Sequence, residues 1–181
     1  PGTPIELRVH SSRQIADWTA SGQIDIGLID SPVPVAGLKA SVFAMECVCI
    51  MRQDDDLASR DVITPACLAD REMIGINGDH ALDRQLNQMM FEVGLPLHFR
   101  AFSYYYAIAR NMVATGGGLA IIDPINAKAD LGDGVIWRPF APLILHETVM
   151  ISSRDHPAAE IREQMQDFVQ QSIAPFTLPG G

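Results

Sequence analysis

The stretch Arg110-Asn111-Met112-Val113-Ala114-Thr115-Gly116-Gly117-Gly118-Leu119-Ala120-Ile121-Ile122-Asp123-Pro124 decides the reading of this chain. It opens as an amphipathic helix, because Tyr105, Ile108, Ala109, Met112 and Val113 recur on one face at helical spacing. The glycine run then ends the helix, since a residue without a β-carbon adopts the positive φ that a helix C-terminus calls for. Leu119 to Ile122 is a short apolar run of strand type, and Asp123-Pro124 reads as the N-cap and first turn of another helix. A helix, a glycine stop, a buried strand and a capped helix in succession predict an α/β domain. In such domains ligands sit at the C-terminal ends of strands.

Working outward, Ser21 to Pro32 follows the same logic: a helix stops at Gly22, an apolar run covers Ile24 to Ile29, and the polar loop Asp30-Ser31-Pro32 follows. Ile5 to His10 alternates apolar and polar residues, as a half-exposed edge strand does, and Ser11 with Gln14 forms a Ser-x-x-Gln capping box that opens a helix carrying Ile15 and Trp18. Thr64 to Ala69, with Pro65 in its first turn, and Leu82, Leu86, Met89, Met90 and Val93 at helical spacing predict two more helices. Ile161, Met165, Phe168, Val169 and Ile173 form the inner face of a last one. Met73 to Ile76, Leu97 to Phe102 and Val135 to Trp137 read as strands. Two longer extended segments, Leu38 to Met51 and Leu143 to Ser152, are suited to crossing between two lobes.

These segments, in this order, resemble the effector-binding domain of LysR-type transcriptional regulators. That family carries a G-x-ϕ-D-ϕ-G-ϕ strand, matched here from Gly22 to Leu28, and a later M-V-A-x-G-x-G-ϕ-A-ϕ-ϕ segment, matched from Met112 to Ile122. Between them, Glu46 to Met51, Leu57-Ala58 and Ile63-Thr64-Pro65-Ala66-Cys67-Leu68 are similar to its hydrophobic strand followed by H-P-L-A and I-T-P-A-D-L. Asp56 stands in place of the usual Pro and Cys67 in place of the usual Asp. Val135 to Pro142 fits the strand that leads back to the first lobe. The resemblance implies a two-lobed, type-two periplasmic-binding-protein fold: mostly parallel sheets, helices on both faces and two hinge crossings. The first lobe is then expected at residues 1–48 plus 149–176, the second at 49–148 and a tail at 177–181. The family's first lobe begins with one more strand and helix than precede Ile5 in this sequence.

Composition narrows the function. Hydrophobic residues make up 48% and charged residues 19% of the 181, which suffices for a sizeable core. Apolar runs are short, so no membrane span is expected. The cysteines Cys47, Cys49 and Cys67 lie in apolar surroundings and read as reduced thiols of a cytoplasmic protein. The net charge of −9, with 13 basic against 22 acidic residues, offers no basic patch to neutralise phosphates, so this segment is not expected to bind DNA itself. The family resemblance instead implies a helix-turn-helix head upstream. His10, His80, His98, His146 and His156 lack metal-ligand spacing and read as surface or turn residues. No nucleophile elbow or phosphate loop is present, so neither catalysis, nor a metal, nor a cofactor is expected.

Ligand contacts are expected where strands end and helices begin. Ser11 and Ser12, Asp30 and Ser31, the turn Asn77, Gly78 and His80, then Tyr105 and Asp123, meet that condition. By the family resemblance, Ser12, Asp30, Asn77 and Gly78 match positions that line its effector pocket. An aspartate at position 30 favours an ammonium or guanidinium group over a carboxylate. Ile29-Asp30-Ser31-Pro32 and Ile122-Asp123-Pro124 resemble the opine- and amino-acid-responsive branch. The expected function is a small-molecule effector domain that pairs antiparallel into a homodimer or tetramer through Ile5–His10 and Leu97–Phe102, and touches DNA only through the separate head. A solute-binding protein of a transporter is the alternative on the same fold, and an enzyme on that fold is a third.

Overall fold

The computed structural model describes residues 4–77, 81–153 and 159–178, with only the backbone described for Ala159 and Ile161. The expected ligand positions Gly78 and His80, together with His156, lie outside the described residues.

One long strand organises the first sheet. The chain begins with α1 (Ser12–Ala20), β1 (Ile26–Asp30) and β2 (Leu38–Glu46), and near its end adds β8 (Leu145–Ser153) and α6 (Ala159–Ile173). β8 lies in the middle, antiparallel to β1 on one side and to β2 on the other. Successive side chains of a strand point to opposite faces. Val149 and Ile151 therefore pack with Ile15, Ala16, Ile29 and Leu38 beneath α1, while Met150 packs with Phe43, Met45 and Ile173 beneath α6. Gly27 lets α1 settle, because a β-carbon there would lie 2.6 Å from Ile15 Cγ2.

The second sheet follows from β3 (Val48–Arg52), β4 (Glu72–Ile76), β5 (His98–Ser103), β6 (Ala120–Ile122) and β7 (Val135–Pro139). β3 is flanked by β6 and β7, and a bridge from Leu119 to Met73 joins this set to the parallel pair β4–β5. Around it lie α2 (Pro65–Leu68), α3 (Ala81–Glu92), α4 (Tyr106–Ala114) and α5 (Pro124–Ala127). They bury Leu68, Leu82, Leu86, Met90, Ala109 and Val113 against Ile50, Met51, Met73, Ile74 and Ile121 in the largest core. The glycine run performs two tasks. Gly116 N–H donates to Val113 O (2.9 Å) and Gly117 N–H to Met112 O (2.8 Å), the paired bonds that close a helix behind a positive-φ glycine, Gly116 at φ 85°. Gly118 then passes so close to β4 that a β-carbon would lie 2.2 Å from Glu72 O. The chain crosses between the sheets twice, at Cys47 and at Ile144, and Cys47 N–H donates to Ile144 O (2.9 Å) to join the two passages.

Several expectations are corrected. The α/β class with helices on both faces of the first sheet holds, but the pairing is mixed rather than mostly parallel. β4–β5 is the parallel ladder, while β1, β2 and β8 pair antiparallel, as do β3, β6 and β7. The chain leaves the first sheet along β2 into β3 and returns along β8, so these strands necessarily run opposite to their neighbours. Ile5–His10 is extended but belongs to no ladder, since alternation makes a strand only where a hydrogen-bonding partner lies alongside. It rests on α1 through rings instead, with His10 edge-on to Trp18 at 5.2 Å and the Arg8 guanidinium 6.0 Å from the Trp18 ring. In α4 the inner face is Tyr106, Ala109, Arg110 and Val113, leaving Tyr105 and Ile108 exposed. Phe168 of α6 is likewise exposed. Thr177 and Leu178, expected in a tail, pair with β2, where Leu178 N–H donates to Ala44 O (2.9 Å).

Buried Arg110 explains the phase of α4. Its guanidinium grips both oxygens of Asp133 at 2.9 Å and donates to Asn126 O (2.7 Å) and Ala127 O (2.8 Å), clipping α4 to the end of α5 and to the loop before β7. Arg110 holds the Asp133 carboxyl below its usual range. Arg110 is buried and Asp133 half-buried, so Arg110→Ala, which strips the donors from Asp133 and from the Asn126 and Ala127 carbonyls, is expected to cost about 1–3 kcal/mol in urea unfolding at neutral pH. Because the folded Asp133 value is lowered, its contribution is present above the ordinary carboxylate pKa of about 3.9 and is lost as pH falls through the folded value. Acid unfolding curves of Asp133→Asn should therefore lack that part of the wild-type pH dependence.

Candidate functional site

A cavity of about 260 Å³ opens where α1, β1, α4 and α5 converge, walled by Val9, His10, Ser12, Leu28, Asp30, Tyr104, Tyr105, Tyr106, Ala107 and Asn126. Three of the expected ligand residues, Ser12, Asp30 and Tyr105, are thus brought together. Local chemistry puts each in place. Ser11 is the N-cap of α1, its Oγ accepting from Gln14 N–H (3.4 Å). Ser12, one residue on, accepts from Asp30 N–H (3.0 Å) and so ties the start of α1 to the end of β1. Only Ser12 of this pair reaches the cavity wall. Tyr105 lies in extended backbone just before α4, fixed by Ser103, whose Oγ accepts from Tyr105 N–H (3.2 Å) and donates to Tyr105 O (2.9 Å). The rings of Tyr104 and Tyr105 stand edge-on at 5.3 Å.

The remaining described candidates lie behind or beside this wall. Asp123 is 3% exposed and caps α5, its Oδ1 accepting from Asn126 N–H (2.9 Å) and its Oδ2 from Asn126 Nδ2 (2.8 Å). It holds Asn126 in the wall rather than forming the wall itself. Ser31 extends the β1 ladder through its N–H to Glu147 O (2.9 Å), and Asn77 N–H donates to Ser103 O (2.8 Å) at the end of β4. Neither is among the wall residues.

The site is acidic and contains groups that sequence reading missed. Asp30 is the carboxylate of the described wall, which holds no Lys or Arg. Its Oδ1 lies 3.3 Å from Nε2 of His146, a buried histidine of β8 rather than a surface one. The signal for His146 was its place in a crossing strand, where Thr148 and Met150 share its face. Asn126 was signalled by standing three residues after the capping Asp123. Burial pushes the Asp123 carboxyl above its usual range, opposed by its bonds to Asn126 and by the nearby His146. Burial, reinforced by Asp123 and Asp30, also pushes the Cys47 thiol up, so that thiol stays protonated. Among the described residues, no group of three or more His, Cys, Asp or Glu is placed to hold a metal, and no helix is long and apolar enough to cross a membrane.

A wider groove of about 680 Å³ runs along β7 and the loop before it. Its inner polar groups are spent on the fold: Arg110 on Asp133, and Arg138 on the carbonyls of Arg60 (2.8 Å) and Ala58 (2.5 Å).

The chain matches the LysR substrate binding domain family over residues 1–174. It is 18% identical over 174 residues to the transcriptional activator protein LysR of Escherichia coli K12, covering 96% of this chain and 56% of that protein, so it spans about half the length of this relative. Among solved structures, the regulatory domain of CcmR from Synechocystis PCC6803, in complex with 2-PG, superposes with a TM-score of 0.70 at 14% identity, covering 93% of this chain and 83% of that one. The effector binding domain of QuiR, in complex with shikimate, gives 0.67 at 14% identity over 93% and 81%. At such identities the likeness is one of fold.

The geometry separates capping from charge at Asp123. Asn preserves an acceptor for Asn126 N–H, whereas Ala removes it, so Asp123→Ala is expected to lose about 1 kcal/mol. The folded carboxyl is raised, so its stabilising contribution is full below the ordinary carboxylate pKa and is lost as pH rises through the folded value. Asp123→Asn should therefore gain on the wild type as pH rises from about 4 to 7, as measured by urea midpoints across that range. A constant difference would refute the burial argument.

Proposed function

The chain belongs to the LysR substrate binding domain family, and from that premise we propose that it is the ligand-sensing domain of a bacterial LysR-type transcriptional regulator. It takes a small cationic or zwitterionic metabolite, of amino-acid or opine type, between two lobes, residues 1–48 with 149–176 and residues 49–148, and it catalyses nothing. The observation that carries the ligand class is Asp30, placed at the end of β1 as the carboxylate of a cavity wall whose described residues include His10 but no Lys or Arg. A partly buried carboxylate attracts an ammonium or guanidinium more strongly than it would in water. The start of α1 beside it supplies backbone N–H groups that suit a ligand carboxylate. Solved neighbours of this fold hold small molecules, 2-PG in one and shikimate in the other, which supports a ligand of that size.

Ligand closure or re-angling of the lobes would alter how paired subunits present DNA-binding heads, which belong to a part of the protein outside this sequence. The net charge of −9 supports placing DNA contact elsewhere. A protein acting on DNA in this way works in the cytoplasm.

A calorimetric and thermal-shift screen of amino acids, opines and aromatic acids tests the ligand class. Binding to the folded state alone stabilises by about 2.7 kcal/mol at a ligand concentration a hundred times the dissociation constant. Asp30→Asn should weaken the best amino-acid-like ligand by about 1.5–3 kcal/mol, the worth of a hydrogen bond to a charged group. Stabilisation by benzoate-like acids alone would sink the cationic reading.

For assembly, we propose that Ile5–His10 and β5 meet across a two-fold axis. Ile5, Leu7 and Val9 are 73%, 88% and 66% exposed, and β5 pairs on its β4 side. Leu7→Glu and Phe102→Glu should each shift light-scattering masses toward the monomer across a concentration series. Unchanged masses would count against this surface.

A further inference from the structure

Asp30 is part of a chain of side chains that reaches across the molecule. Nε2 of His146 approaches Asp30 Oδ1 at 3.3 Å and Thr148 Oγ1 at 3.1 Å, and Nδ1 lies 3.3 Å from the Tyr106 hydroxyl. The Tyr106 ring stands edge-on to the imidazole at 5.3 Å and 78°. An ionised carboxylate only accepts hydrogen bonds, so the ring nitrogen facing Asp30 and Thr148, Nε2, is the one that carries a proton. Burial first, then the charges of Asp30, Asp123 and Asp83, pushes the Tyr106 hydroxyl up, so it keeps its proton.

The three residues come from different parts of the fold. Asp30 ends β1, next to Ile29 in the core under α1, while Tyr106 packs in the large core of the second sheet. His146 stands on β8 two residues beyond Ile144, where the two crossings are joined. A second tie reaches the same strand start, Gln85 Nε2 donating to Leu145 O (2.9 Å).

We infer that His146 is a positioning residue for ligand recognition: its Nε2 holds the Asp30 carboxylate in the cavity wall, and its ring links that carboxylate, through Tyr106, to the second sheet. A cation docking on Asp30 then acts on the strand at which the chain passes between the sheets. The inference rests on the cationic-ligand reading above. Its structural half stands apart from that reading and is testable without ligand.

The test uses the 181-residue chain and its His146→Gln and His146→Leu variants. Glutamine keeps an N–H donor near the position of Nε2, and leucine keeps bulk without a donor. In the wild type, imidazole 15N shifts should report the Nε2–H tautomer. The Asp30 carboxyl 13C signal should stay close to the wild-type value in His146→Gln and move in His146→Leu. With L-arginine as the probe in calorimetry, affinity should fall about ten- to a hundredfold in His146→Leu and stay within about threefold in His146→Gln. An Nδ1–H tautomer in the wild type, or an Asp30 signal that ignores the loss of the imidazole, overturns the positioning role, as does equal L-arginine affinity in both variants. If the wild type does not bind L-arginine and its relatives, the ligand class fails, while the imidazole and carboxyl signals still decide whether His146 positions Asp30.

Discussion

Everything in the first sheet depends on β8 being paired along both edges. Its residues Val149 to Ser152 are buried, and a buried backbone without partners on both sides would strand polar N–H and C=O groups away from water. β1 satisfies one edge and β2 the other, and both do so antiparallel. That constraint sets the faces. Once Val149 and Ile151 point toward α1, Met150 must point toward α6 and His146 must lie on the Met150 side of the strand. His146 is therefore placed beside Asp30 by the same register that builds the core. A slip of one residue would turn His146 away from Asp30 and turn Val149 and Ile151 away from α1.

The second sheet is held to this frame by short local devices. The helix stop at Gly116 and the tight passage of Gly118 against Glu72 deliver Leu119 to β4, and two backbone bonds fix it there: Ile74 N–H to Leu119 O (2.7 Å) and Leu119 N–H to Glu72 O (2.9 Å). Asp123-Pro124 then turns the chain into α5, whose first turn carries Asn126 to the cavity. The Arg110 clip holds the far end of α5. Scaffold and cavity share residues here, since Asn126 of the wall is fixed by the cap of α5.

Much of this was legible from residue order. The glycine stop, the Asp-Pro cap, the strands before Asp30 and Asp123, and the two crossings all depend on interactions within a few residues, which sequence displays directly. The failures have one physical root: each needed a partner far along the chain. Counting apolar positions put Ile108 inside α4, because nothing near Arg110 announces Asp133, which lies 23 residues away. Ile5–His10 alternates like a strand, yet its edges find no ladder. His146 read as a surface histidine, because its partners Asp30 and Tyr106 come from other elements, Tyr106 being 40 residues distant. Asp30, Ser12 and Tyr105, singled out by the rule that ligands meet strand ends and helix starts, share one cavity wall. Asn126 and Tyr106 were missed because they enter the wall through helix geometry.

The electrostatics of the site follow from which donor Asp30 was given. Asp30, Asp123 and the Cys47 thiol crowd the same partly desolvated region, where an ionised group without a donor is costly. His146 meets part of that demand, its Nε2 lying 3.3 Å from Asp30 Oδ1 and 3.1 Å from Thr148 Oγ1. A carboxylate so placed interacts with other charges more strongly than one in open water. The second acid, Asp123, is turned inward onto Asn126, so it adds to the negative field without offering a competing contact. This division of roles, one acid at the cavity wall and the other turned away behind it, is what the proposal of a cationic ligand rests on.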